Sequence, residues 1–216
     1  FNFFISLSFK LKIYMKNAFK LFDFMGTPVY LKYWFFILLP LFMPSFTEQG
    51  FLIGLNYFIS IFIAVLVHEL AHTTMAKKLN HYVDNVYLDV FNGAASIDTT
   101  YSTYKDTILI VIVGPLSNII LYFIGHSLGL EIFTKINLFL FIFNILPIYP
   151  MDGGRICKAI CQWATKPSIG RKINGYISII TSLLLLIFSI IGGFIIMGIF
   201  TILFGFYSYK EIVQKY

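Results

Sequence analysis

The sequence predicts an all-α membrane protein: six transmembrane helices with a small cytoplasmic β-strand pair after the second. Three observations carry that prediction. Of 216 residues, 58% are hydrophobic and 12% charged, where an average soluble domain is roughly a quarter charged; mean hydropathy is +0.82. So few charges cannot cover a water-facing surface, which excludes a soluble enzyme, a disordered tail and a nucleic-acid binder. Apolar runs near the 20 or so residues a helix needs to cross a bilayer recur along the chain. The basic residues, finally, concentrate in alternate connections between those runs.

The first 21 residues are basic and amphipathic, with Lys10, Lys12, Lys16 and Lys20. They lack a small-residue cleavage site after an apolar stretch, so the expectation is a helix lying on the inner membrane surface, not a removed signal peptide. Residues 1–28 form this N-terminal segment; those before the first methionine, Met15, are given no function. The first span runs from about Val29 to Met43 and is closed by Pro44. The second, about Phe51 to Ala76, is long and continuous. The third covers about Thr107 to Leu130, and the fourth about Ile132 to Pro150, ending in Pro147 and Pro150. The last apolar run, Ile173 to Tyr209, is too long for one span, and Gly192-Gly193 divides it into two helices joined by a tight turn. Residues 29–209 thus make one transmembrane domain, followed by a cytoplasmic tail, 210–216.

Charge then orients the spans. Lys16 and Lys20 precede the first, with Lys32 near its start; Lys77, Lys78 and Lys105 lie between the second and third; Arg155, Lys158, Lys166, Arg171 and Lys172 between the fourth and fifth; Lys210 and Lys215 follow the sixth. The other connections carry Glu48, then Glu131 with Lys135, then no charge. Both termini in the cytoplasm satisfy the positive-inside rule at every loop, giving a multi-pass protein of the cell membrane. The two cysteines, Cys157 and Cys161, exclude a disulfide framework and read as packing residues.

Inside the second span stands Val67-His68-Glu69-Leu70-Ala71-His72. Ionisable side chains in an apolar helix are expensive and call for a compensating role. Positions i and i+4 share a helix face, so His68 and His72 can grip one ion, with Glu69 alongside as a base toward water. The plainer alternative is three polar side chains satisfying one another within a bundle. Catalytic zinc usually takes three protein ligands, and Asp152 fits as the missing carboxylate, a loop-starting Asp after a helix being the plainer alternative. It follows the proline-broken end of the fourth span in Asn144-Ile-Leu-Pro147-Ile-Tyr-Pro150-Met-Asp152-Gly153-Gly154-Arg155. Irregular backbone at membrane depth is tolerated where it lines a cavity.

HExxH in a membrane helix together with NxxPxxPxDGG resembles the site-2 family of intramembrane metalloproteases, and the run Asn144 to Arg155 looks most like its sporulation branch, which activates a pro-sigma factor. The similarity extends over nearly the whole chain. It implies one zinc held by His68, His72 and Asp152, with Glu69 activating water for peptide hydrolysis in or beside the membrane. It implies also that Asn144 faces the zinc, where its amide holds substrate backbone or the developing oxyanion; capping of the broken helix is the alternative. Gly114-Pro115-Leu116-Ser117-Asn118 is similar to the family's glycine-proline signature, read here as close helix packing at Gly114, with Asn118 a weaker candidate for polar contact. The implied substrate is a membrane-embedded or membrane-tethered protein.

Two departures from the family pattern stand out. The loop after the second span commonly carries a Pro-x-Gly-Gly type sequence; here residues 86–99 read VYLDVFNGAASIDT, with alternating Val86, Leu88 and Val90 suggesting a strand pair that turns at Asn92-Gly93 and offers an edge to extended substrate. The sporulation enzymes also carry a nucleotide-sensing domain after the last span. Here the expectation is regulation by a membrane partner or by substrate supply. His81 reads as solvated at the membrane edge and His126 as too far along the third span to share the metal. The alternative from another class is a zinc-binding membrane protein without peptidase activity, a transporter or an inactive homologue; retention of Glu69 argues against it, because a transporter has no use for a base beside its metal.

Overall fold

A computed structural model describes residues 17–43, 47–88, 94–97 and 103–213. The elements, in chain order, are β1 (Ala18–Phe24), β2 (Thr27–Lys32), a 3-10 turn (Tyr33–Ile37), α1 (Leu38–Leu41), α2 (Glu48–Lys78), β3 (Val83–Leu88), β4 (Ala94–Ile97), α3 (Tyr104–Ser127), α4 (Glu131–Ile145), α5 (Asp152–Ala164), α6 (Pro167–Gly192) and α7 (Ile195–Val213). They form two compact units: residues 1–98 with 121–137, and residues 99–120 with 138–216.

In the first unit the strands make one sheet in the order β1-β2-β3-β4. β1 and β2 are an antiparallel hairpin, with Phe24 opposite Thr27. Its two-residue turn, Met25 and Gly26, has φ of 49° and 75°, the positive values that a type I′ hairpin turn requires. Burial along β2 alternates strictly, with Thr27, Val29 and Leu31 inward, the period of a half-buried strand. β2 pairs parallel with β3, Val29 opposite Val86, and β3 pairs antiparallel with β4. Val29, Leu31, Phe35, Leu38, Val86 and Leu88 form a core against which α2 packs Phe58, Phe62, Val65 and Leu70.

The expected surface helix and first span are therefore corrected where the structure describes them. Residues 18–32 are a hairpin, and 33–41 a 3-10 turn and a single helical turn. The stretch from Val29 to Met43 is too short to cross a bilayer as a helix and opens with β-branched and aromatic residues, and pairing with β3 satisfies its backbone. The strand pair expected after the second span is present as β3 and β4, within a four-stranded sheet; the expected Asn92-Gly93 turn and residues 1–16 lie outside the described residues.

Among the described residues, three helices are long and apolar enough to cross a membrane: α2, α3 and α6. α4 has 15 residues, about 22 Å of helix against about 30 Å of hydrocarbon. The chain then leaves helical geometry through Pro147 and Pro150, as expected, with a cis Tyr149-Pro150 peptide. The last apolar run is divided where the sequence indicates: α6 ends at Gly192, and Gly193 takes the left-handed φ of 69° that closes its C-terminus.

In the second unit the loop after α4 folds tightly onto the start of α5. A Cβ added at Gly153 would collide with the Ile145 and Leu146 carbonyls, and one at Gly154 with the backbone of Ile148 and Tyr149. Gly154→Ala should therefore destabilise the chain by about 2 kcal/mol, about 4–8 °C in Tm for this size. Gly205 is helical and open around its Cα, so Gly205→Ala should leave the Tm unchanged or raise it. Thermal unfolding of the two purified variants checks both.

Candidate metal centre

α2 starts with Thr47 as its N-cap, accepting from the Gly50 N–H, and ends with Lys77 and Lys78 in its last turn, charges that suit the two ends of the helix dipole. The His-Glu-His motif lies near the basic end. His68, Glu69 and His72 are all buried, at 7%, 5% and 4% exposure. The two imidazoles face each other edge to face, with Nε2 to Nε2 at 3.1 Å, and a ligand atom from each of the three residues lies within 4.8 Å of the others. Two nitrogens bound to one tetrahedral zinc at about 2.05 Å would stand about 3.3 Å apart. The donor pair thus already has nearly the separation a shared ion demands. Just C-terminal to Glu69, Thr73 and Thr74 return their hydroxyl hydrogens to the Glu69 and Leu70 carbonyls, which keeps those groups satisfied on an otherwise apolar helix.

The other sequence-derived residues lie in the second unit. Asp152 is the first residue of α5, 6% exposed, with Oδ1 3.6 Å from Arg155 Nη1. Asn144, half-buried, donates one amide hydrogen to the Leu140 carbonyl at 3.0 Å. An amide NH2 has two hydrogens, so this bond leaves one for another acceptor. Asn118 is fully buried on α3, where Pro115 interrupts the backbone hydrogen bonding and Ser117 donates to the Gly114 carbonyl at 2.7 Å.

His126 stacks on Tyr122 at 6.2 Å on an exposed turn, outside the His68–His72 group, as expected. His81 differs from its solvated reading: it is half-buried. Cys157 and Cys161 hold their sulfurs 4.0 Å apart, and burial, with Cys161 adding to it, pushes the Cys157 thiol up to about 11. A thiol so raised is protonated at neutral pH and behaves as a packing group. Sequence reasoning passed over two hydroxyls, Ser178 on α6 and Ser208 on α7, that bond the loop preceding Asp152. The signal was available: Asn174, Ser178 and Ser182 recur every fourth residue of an apolar helix.

A membrane-length helix carrying paired imidazoles and a carboxylate near one end is the arrangement expected of a membrane metallopeptidase. Comparison with known proteins agrees. The family model for peptidase family M50 matches residues 123–188. A zinc metalloprotease of Methanocaldococcus jannaschii is 28% identical over 213 residues, 93% of this chain and 61% of the relative. A second protein of that organism, provisionally named a zinc metalloprotease, is 32% identical over 145 residues, 53% of this chain and 74% of the relative. Stage IV sporulation protein FB of Bacillus subtilis is 30% identical over 118 residues, 50% of this chain and 41% of the relative. The solved site-2 protease from Methanocaldococcus jannaschii aligns with a TM-score of 0.64 at 25% identity, covering 92% of this chain and 97% of that one. This chain belongs to peptidase family M50, the site-2 proteases. It spans 61%, 45% and 41% of the length of the first curated relatives it matches.

Proposed function

We propose that the chain is an intramembrane zinc endopeptidase that hydrolyses peptide bonds in or next to transmembrane segments of membrane-tethered proteins, regulatory factors among them. The observation that carries this reading is the pair of buried imidazole nitrogens 3.1 Å apart beside a buried carboxylate, on a helix long enough to cross a membrane. His68, His72 and Asp152 would hold one zinc per chain. When bound, zinc supplies Lewis acidity that polarises the scissile carbonyl and eases deprotonation of water at the site. Glu69 takes that proton, keeps it in a site shielded from bulk solvent, and delivers it to the departing nitrogen. The second amide hydrogen of Asn144 is suited to the developing oxyanion or to substrate backbone.

The same reading gives a multi-pass membrane protein, with a small wet cavity open to the cytoplasmic side through the proline-broken stretch after α4. β4 stands at an edge of the sheet, where an extended substrate segment can add as a further strand. The likeness to a sporulation protein supports a place in the sporulation branch. The test is co-expression with a panel of tagged single-span membrane proteins, wild type against Glu69→Gln, with product termini mapped by mass spectrometry. Cuts made by wild type alone, in the cytoplasmic third of the substrate segment or just outside it, are expected. Cuts in the outer half would refute the orientation, and equal cleavage by both chains would assign the activity to a host protease.

A further inference from the structure

Hydroxyls on apolar helices usually return their hydrogen to a carbonyl about one turn back. Thr181 does so to Ile177 at 2.9 Å and Ser208 to Phe204 at 2.8 Å. Ser178, fully buried on α6, turns elsewhere. Its hydroxyl donates to the Pro147 carbonyl at 3.1 Å and accepts the Tyr149 N–H at 3.2 Å, so a single side chain serves both polar groups flanking Ile148. Ser208, fully buried on α7, shares its hydrogen with the Tyr149 carbonyl at 3.3 Å.

The segment so held leads directly into Asp152. Ile148 is fully buried, its carbonyl accepts the Met151 N–H at 2.8 Å, and the Met151 carbonyl accepts the Arg155 N–H at 2.9 Å in the first turn of α5. Gly153 and Gly154 have no room for a Cβ against the same segment. Two prolines strip this loop of donors, and in apolar surroundings its remaining backbone groups need partners. Ser178 and Ser208 supply them, and with them a single loop conformation.

We propose that Ser178, backed by Ser208, is a positioning residue for Asp152: it fixes the Pro147–Tyr149 segment and through it aims the carboxylate at the metal. This rests on Asp152 being the third zinc ligand. Residues that orient metal ligands from behind typically change affinity 10–100-fold when lost, and the hydroxyl acts here through backbone, so the lower end is expected.

The test uses the full chain, purified in detergent, with zinc affinity measured against a chromogenic chelator and the ligand field read from the visible spectrum of the cobalt form. Ser178→Ala should weaken zinc about tenfold and shift the cobalt bands, and Ser178→Thr should restore both. Ser182 lies one turn on, with its buried Oγ unpartnered among the described residues, and Ser182→Ala should change neither. Asp152→Asn should weaken zinc by itself, and Ser178→Ala added to it should cost nothing more. Wild-type affinity and spectrum in Ser178→Ala, with Asp152→Asn weakened, overturn the positioning role and leave the ligand reading standing. Full affinity in Asp152→Asn overturns both. An additive loss in the double variant overturns the route through Asp152. Should Ser178→Ala fail to fold, Ser208→Ala carries the test: about a threefold loss supports the proposal, and wild-type affinity overturns it.

Discussion

Glu69→Gln is expected to reduce cleavage by about 10³-fold while zinc content and Tm stay at or above wild type. A positioned general base contributes typically 10²–10⁴ in rate, and glutamine keeps the shape of the side chain while losing its affinity for a proton. Glu69 is 5% exposed, so the substitution also exchanges an ionisable group for a neutral one at a poorly solvated site, which works against any fall in stability. That pairing of outcomes separates a chemical role from a structural one. Cleavage at more than about a tenth of the wild-type rate would place the base elsewhere; a large drop in Tm would show Glu69 holding the helix instead. The measurement is single-turnover cleavage of a detergent-solubilised substrate, with metal analysis of the same preparations.

His72→Ala should lower bound zinc from about one per chain to less than about a tenth, and abolish cleavage with it, because only two of the three protein ligands, one imidazole and one carboxylate, would remain. The loss goes beyond one bond. His68 keeps its buried ring, but the nitrogen that faced it at 3.1 Å is gone, so the two-nitrogen grip on one ion is lost. Replacement by Gln, which keeps a polar atom near that position, should recover stability without recovering metal. Zinc retained at wild-type stoichiometry in His72→Ala would remove this residue from the ligand set.

Much of the centre was legible because its key spacing is local. His68 and His72 lie four apart on one helix, and no tertiary detail can take them off the same face. The Gly192-Gly193 division was legible for a similar reason: only a residue free to adopt positive φ closes α6 there. The N-terminal hairpin was not. Lys16 and Lys20 suggested helical spacing, and the turn that reverses the chain uses Met25 at φ 49°, a residue type that gives no turn signal. The β2 alternation was visible in Thr27, Val29 and Leu31, but its partner strand β3 lies beyond the whole of α2. Asp152 entered the donor set by chemistry and resemblance, because zinc wants a third ligand; Ser178 stood out only as part of a polar stripe with Asn174 and Ser182, and what it bonds stayed hidden because the loop it serves has no periodicity to read.

The parallel pairing of β2 with β3 has a consequence for biosynthesis. β1 and β2 are complete as soon as Lys32 leaves the ribosome, yet their sheet partner begins at Val83, after α2 has been made. The hairpin can form early, but it cannot join β3 until the intervening helix has been synthesised and threaded into lipid. Sheet closure is therefore a late assembly step that ties down both flanks of the helix bearing His68 and His72, and a nascent chain interrupted before Leu88 carries the zinc motif without the frame that holds it.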